Sequence, residues 1–302
     1  MNQYCIAFIL LVVKMTNTQA QSVSTLYAFN QPQGPAISKA APTNPKAAEK
    51  PFYIKAYGYY SLLTPGTSIN YDVIQTQISL PNSFKATRTN LGAGPRAGLG
   101  IGFILSDFIN VGVDADLLLG KSVETNVNVF TGNSNTFTNY NITSTTTLNV
   151  LSIIPNITFK ALSRPAYYIY NRLGLVGGIV LDYKQVNRTI QTPNRGAITT
   201  SESTSEYTNN SLAIGYQAAL GVQFRLSQSI RAFAEIVAYN QSFKPREVQN
   251  TSMSTTSGKT TTSNSSVSYK DNGDYLATPT EFPTFNVAIN SVGVGAGFLF
   301  RL

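Results

Sequence analysis

The sequence predicts an all-β chain folded as an eight-stranded antiparallel up-and-down transmembrane β-barrel. Alternation of apolar and polar residues with period two recurs eight times from Phe52 onward. The polar faces of these segments are rich in glycine, and the connections between them alternate between short and long. Charged residues make up only 12% of the chain, below the ~25% of an ordinary soluble domain.

Residues 1–20 carry the compact apolar core Ile6-Ala7-Phe8-Ile9-Leu10-Leu11-Val12-Val13, followed by Thr18-Gln19-Ala20. That run is far short of the ~20 residues a helix needs to cross a bilayer, so a signal peptide is expected. Cys5 precedes the apolar core and does not fit a lipoprotein acylation site. Residues 21–50 place Pro32, Pro35, Pro42 and Pro45 among Ala, Gln, Lys and Ser. They read as a flexible periplasmic linker, either a tether to an envelope component or a plain spacer.

The eight strands fall at 52–63, 91–105, 108–119, 148–161, 167–184, 212–226, 230–240 and 287–302. In the second, Leu99, Ile101 and Phe103 oppose Gly98, Gly100 and Gly102, with Arg96 on the glycine side. In the third, Ile109, Val111, Val113 and Leu117 oppose Asn110, Gly112, Asp114 and Asp116. The fifth sets Leu173, Leu175 and Ile179 against Arg172, Gly174 and Gly178, and the sixth sets Ile214, Leu220 and Phe224 against Gln217, Gly221 and Gln223.

Alternation alone also fits a soluble sandwich with one wet face. Small residues on the polar side, however, suit the crowded interior of a closed eight-stranded barrel. The apolar stripes run for 11–15 residues, enough for the ~9–11 a tilted strand needs to cross hydrocarbon. Short connections fall at Ser106-Asp107, Ser163-Arg164-Pro165 and Ser227-Gln228-Ser229, whereas 64–90, 120–147, 185–210 and 241–284 are long and polar. Ten strands result if one long-loop hairpin re-enters the wall.

Projected inward, the lumen holds Lys55, Arg96, Lys160, Arg172, Lys184, Arg225, Arg231 and Arg301 against Asp114, Asp116, Asp182 and Glu235. Counting from the short turns puts Arg96, Asp114, Asp116, Arg172 and Glu235 at similar depth, where a buried charge requires a partner. An ion-pair network of these five is expected, with Lys160, Arg225, Arg231 and Arg301 basic on the periplasmic side. Two uses follow, a packed polar plug or a narrow anion-preferring path. Asp114 and Asp116 can also be read as paired acid/base carboxylates, with arginines at hand to neutralise both. Tyr53, Tyr57, Tyr60, Tyr167 and Tyr183 are candidates for the interfacial aromatic girdles.

The last strand alternates Val292, Val294, Ala296, Phe298, Phe300 and Leu302 to the final residue. With "GVGAGFLFRL" and "GVQFRLSQSIRAFAEI", residues 51–302 resemble the small outer-membrane β-barrel domains of the OmpA-domain and OmpX type. The chain departs from them in ending on Leu302 rather than phenylalanine and in lacking tryptophan. The resemblance implies a bacterial outer membrane, both termini in the periplasm, contact with outer-membrane lipid and the barrel assembly machinery, and an assembly signal at Phe298, Phe300 and Leu302.

There is no histidine and a single cysteine, which removes disulfides, Cys/His metal sites and histidine-dependent triads. No cofactor or enzymatic activity is expected. The net charge of +8 is scattered without a basic run, so nucleic acid is not an expected partner. Residues 251–268 hold thirteen Ser or Thr in eighteen positions. Hairpins are expected within 120–147, turning at 131–135, and within 185–210, turning at Pro193-Asn194-Arg195-Gly196. The long loops are either an adhesin-like fringe binding an extracellular or envelope protein, or a hydroxyl-rich shield. A structural or surface-binding role leads, with a small-solute channel and a component of a secretion or assembly machine as alternatives.

Overall fold

A computed structural model describes residues 51–63, 68–75, 81–87, 90–132, 136–163, 166–272 and 280–302. The expected signal peptide and linker, the expected turn at 133–135 and residues 164–165 lie outside them. Among the described residues the backbone forms one sheet of sixteen strands and no helix.

Eight of these strands close into a ring: β1 (Phe52–Leu63), β2 (Pro95–Ile104), β3 (Ile109–Leu119), β4 (Phe137–Ser163), β5 (Tyr167–Pro193), β6 (Ala213–Arg225), β7 (Ile230–Phe243) and β8 (Ser291–Arg301). Each pairs antiparallel with its sequence neighbour, and β8 returns to β1 with Arg301 opposite Tyr53. Two of the short turns are built alike. Ser106 Oγ accepts from the N–H groups of Phe108 and Ile109, and Ser227 Oγ from those of Ser229 and Ile230. A serine side chain thus replaces the missing backbone acceptor within each turn.

The ring is polar within and apolar without. Leu99, Leu175 and Ile214 are 64%, 70% and 66% exposed, and Phe298, Phe300 and Leu302 also face outward. Arg96, Asp114, Asp116 and Arg172, by contrast, are at most 2% exposed. The glycines explain how such large groups fit. Tyr57 lies opposite Gly98, Tyr53 opposite Gly102, Lys55 opposite Gly100 and Tyr170 opposite Gly221. A Cβ at Gly98, Gly102 or Gly221 would fall on the tyrosine across the ladder, and one at Gly100 on Asp114 and against Lys55. Large and small residues therefore alternate around the interior, as a closed eight-stranded wall requires.

The strands are longer than the predicted ones. β4 and β5 each have 27 residues, roughly 90 Å of strand, far beyond what a bilayer crossing needs. Beyond the ring, β4 pairs with Val123–Gly132, which pairs in parallel with Ser68–Gln75, itself paired with Pro81–Thr87. On the other side β5 pairs with Thr199–Asn210, then follow Pro245–Thr256 and Lys259–Lys270. The long polar segments are thus largely strand rather than loop, and the ring opens into a free-standing sheet.

A bulge marks the change. Asn149 faces Asp182 but Val150 faces Val180, so Leu181 is an extra residue in β5. Leu181 and Asp182 are both exposed and Tyr183 turns inward, because one inserted residue reverses every side chain beyond it. This corrects the expectation of Asp182 and Lys184 in the lumen: Lys184 is half-buried and pairs with Glu206 on the neighbouring strand at 3.0 Å. It also removes Tyr183 from the girdle candidates; Tyr53 and Tyr57 are removed by the alternation of β1, whose odd residues are buried, while Tyr60 is exposed and Tyr167 half-buried.

Gly98→Val tests the packing rule. The branched side chain must displace Tyr57, and a loss of about 1–3 kcal/mol is expected, read as a lower urea midpoint for the unfolding of the detergent-folded chain. Ala97→Val, on the exposed face, leaves the midpoint unchanged.

Candidate functional site

The interior of the ring is stacked in layers. At its centre Arg172 lies between two carboxylates: Nη1 is 2.8 Å from Asp114 Oδ2, and Nη2 is 2.5 Å from Glu235 Oε1. Lys55 Nζ closes on the same Asp114 oxygen at 2.5 Å, Gln217 Oε1 accepts from Arg172 at 2.9 Å, and the Tyr170 hydroxyl donates to Glu235 at 2.8 Å. Five elements, β1, β3, β5, β6 and β7, are tied across the ring by this one cluster. The nearby Arg96 pairs with Asp116 at 3.1 Å and stacks on the Tyr239 ring at 4.0 Å, while the Tyr239 hydroxyl donates to Asp116.

Thus the five residues expected at one depth are brought into two adjacent groups, Asp114-Arg172-Glu235 and Arg96-Asp116. Sequence reasoning missed Lys55 and the tyrosines as members. The signal for them was available: odd residues of β1 share the inner face, and Tyr170 sits two residues from Arg172 on the same side. Asp114 is held by two cations, and Asp116 by a cation and a phenol, so neither stands free as an acid/base group. That is how buried charge is tolerated.

Toward the short turns, Lys160, Arg231 and Arg301 are buried, and Lys160 and Arg231 approach the Tyr168 ring at 5.2 and 5.5 Å. Arg225, predicted among them, is exposed, because β6 ends there and its side chain leaves the interior. Between this layer and the ion pairs is a cavity of about 30 Å³, lined in part by Asn110, Arg172 and Gln223. Asn110 Oδ1, Arg172 Nε and Gln223 Nε2 have no protein partner there, and the space suits a bridging water.

At the opposite end the interior turns apolar. Leu118, Leu148, Val150, Ala213, Phe243, Val287 and Ile289 pack into one cluster, all at most 8% exposed. Ile289 is held by its N–H to Gln241 O at 2.7 Å, while Asn90 Nδ2 donates to Asn290 O at 2.9 Å. The charged core thus lies beneath an apolar lid.

The free-standing sheet is the second candidate surface. Its strands meet through paired hydroxyls: Thr199 with Thr256 at 2.8 Å, Ser201 with Ser254 at 3.0 Å and Thr255 with Thr260 at 2.9 Å. Ser257 and Gly258, with φ of 52° and 78°, make the two-residue turn between Thr256 and Lys259. At the base of this hairpin Asp271 accepts from Thr284 at 2.7 Å and from Lys244 at 2.9 Å. These two hydrogen bonds hold the Asp271 carboxyl below its ordinary value.

No protein-family model matches the chain, and no curated protein matches it. Solved structures do. That of the outer membrane protease OmpT from Escherichia coli is 9% identical, covering 84% of this chain and 94% of that one, with a TM-score of 0.24. A Pseudomonas aeruginosa FadL homologue is 6% identical over 84% and 90% of the chains, with a TM-score of 0.16. The P. putida toluene transporter TodX is 5% identical over 85% and 91%, with a TM-score of 0.18. These scores transfer neither activity nor substrate to this chain. They do correct one expectation: the first of these structures belongs to an enzyme, so the exclusion of enzymatic activity drawn from the missing histidine is withdrawn.

Both the ion pairs and the hairpin base can be tested by substitution. Arg172→Met strands Glu235 and leaves Asp114 to Lys55 alone, and should cost about 3–5 kcal/mol, with partial recovery in the double variant that adds Glu235→Gln; urea midpoints measure both. At the hairpin base, the lowered Asp271 value means that its stabilisation is complete above the ordinary carboxyl value of 3.8 and is lost as pH falls through the lowered one. Amide exchange in 245–270, corrected for intrinsic rates, should therefore rise in strong acid, and Asp271→Asn should raise it already at neutral pH.

Proposed function

We propose that the chain is an eight-stranded transmembrane β-barrel of a bacterial outer membrane, related to the OmpA-domain and OmpX type in architecture, that displays a binding sheet on the cell surface. The observation that carries the membrane reading is the inversion of polarity around the ring. Soluble monomers rarely expose contiguous apolar surface beyond a few hundred Å². Here the apolar stripe runs around every ring strand, while the charges are inside. Lipid is the solvent that accepts such a surface.

The interior supports a plug rather than a path. Two ion-pair groups and an apolar lid fill it, leaving a cavity of water size. Binding is then assigned to the sheet beyond the ring, where the chain invests strands well in excess of the membrane crossing. In this reading the short turns and both termini are periplasmic, and Phe298, Phe300 and Leu302 form the lipid-facing end recognised by the assembly machinery.

Planar-bilayer recordings combined with labelling of intact cells test this reading. The refolded chain should be silent, and Ser257→Cys should react with an impermeant maleimide on whole cells while Ser227→Cys should not. Discrete conductance steps that change in Arg172→Met would make the interior a pore. Labelling at Ser227→Cys alone would reverse the orientation.

A further inference from the structure

The sheet beyond the ring ends in an edge that lacks the usual protection. Strand Lys259–Lys270 pairs with Pro245–Thr256 on one side, with Thr256 opposite Lys259 across the two-residue turn. In an antiparallel ladder alternate residues direct both backbone groups to the same neighbour. Outward-pointing residues are identified at the strand's far end, where Ser268 N donates to Thr280 O at 3.0 Å and Lys270 O accepts from Thr284 N at 3.1 Å. The even-numbered residues therefore face outward. Among the described residues, 280–284 covers 268 and 270, and no strand pairs with Thr260, Thr262, Asn264 or Ser266 on that side.

Natural edge strands are blocked by charge, proline, bulges or a covering segment. Residues 260–267 have none of these: they carry no charge and no proline, keep an unbroken register with Pro245–Thr256, and are exposed from 260 to 266. From 260 to 266 their side chains are the same Ser, Thr and Asn that already pair across the inner strands of this sheet. The edge is thus complementary to a strand of its own kind.

We infer that this edge pairs with the same edge of a second copy of the chain, displayed on an apposed membrane. This rests on the membrane reading above. Parity fixes the geometry. An antiparallel ladder joins outward residues to outward residues, and a strand meeting itself antiparallel does so in any register centred on a residue rather than between two. A register centred on Thr262 sets Thr260 opposite Asn264 and Thr261 opposite Ser263, and stops short of the edge covered by 280–284. It keeps the two Lys259 ammonium groups at opposite ends of the ladder, whereas a parallel pair would put them side by side.

The symmetry then selects the location. A two-fold axis relating antiparallel strands is perpendicular to them, and these strands run away from the ring. The two rings consequently point in opposite directions, which copies in one membrane cannot do and copies on facing membranes can. The twelve-residue arms of the hairpin, roughly 40 Å long, supply the reach. A five-residue ladder is weak for one pair of molecules, but many copies across two surfaces act together.

The test uses the full chain reconstituted into vesicles of phosphatidylethanolamine and phosphatidylglycerol. Insertion is checked separately by flotation and protease protection, so that a failure of the membrane reading shows there first. Inserted wild-type protein should cluster the vesicles, giving a several-fold rise in turbidity without lipid mixing. Thr262→Pro should abolish clustering, because it removes an outward donor and no bond within the hairpin. In a Cys5→Ser background, Thr262→Cys should form disulfide dimers under mild oxidation in clustered vesicles, and Ser257→Cys should not. Vesicles that stay dispersed with the protein inserted, or that cluster equally with Thr262→Pro, would overturn the proposal.

Discussion

Arg172 is the interaction on which the ring depends. Closing eight strands into a wall leaves an interior just wide enough for side chains, and this chain fills it with ions. A buried carboxylate without a partner is far more costly than a lost contact. Asp114 on β3 and Glu235 on β7 are therefore held by one guanidinium on β5, with Lys55 of β1 as a second cation on Asp114. Guanidinium suits the position because its fork offers separate nitrogens to the two carboxylates. The cluster cannot form until strands far apart in sequence are in place, since Arg172 is 58 residues from Asp114 and 63 from Glu235. Correct pairing of the ring and correct pairing of the charges are one condition.

The glycines opposite the interior tyrosines follow from that constraint. Phenols are needed within the wall as donors to carboxylate oxygens that the cations leave open, as Tyr170 and Tyr239 show. Where a phenol reaches inward across its own ladder, as Tyr53, Tyr57 and Tyr170 do, the facing residue is a glycine. The inner face there reads as tyrosine in one strand and glycine in the next. The sheet acquires its polar core and its shape from the same substitution pattern.

Much of this was legible in the sequence. The parity of β2, β3, β6 and β7 follows directly from alternation, and with parity come the inward positions of Arg96, Asp114, Asp116 and Glu235. Alternation also places Lys55 and Tyr170 inward, yet their roles depend on which strand lies across the ladder, and periodicity carries no such information. The bulge at Leu181 was illegible for a sharper reason. Leu181-Asp182-Tyr183 continues an apolar-polar rhythm without interruption, so nothing local announces the extra residue. It shows only in the pairing with β4, where Asn149 and Val150 meet Asp182 and Val180. Arg225 has the right parity and fails only because its strand ends there.

The bulge also bears on how the two halves of the molecule differ. Up to Val180, β5 belongs to a closed wall whose two faces see different media, and strict alternation is enforced. Beyond Leu181 only Tyr183 still packs into the apolar end of the interior, and β5 becomes half-buried on both faces from Lys184 to Val186. Hydrophobic patterning gives way there to hydroxyl pairing, which holds strands in register without requiring an inside. That change explains why a segment rich in Ser and Thr reads as loop by composition and yet folds as strand. Hydroxyls that satisfy one another across a ladder do not distinguish a neighbour within the chain from an equivalent strand outside it. A sheet stabilised in this way is neutral and open at its edge, properties that suit a surface meant to meet another strand.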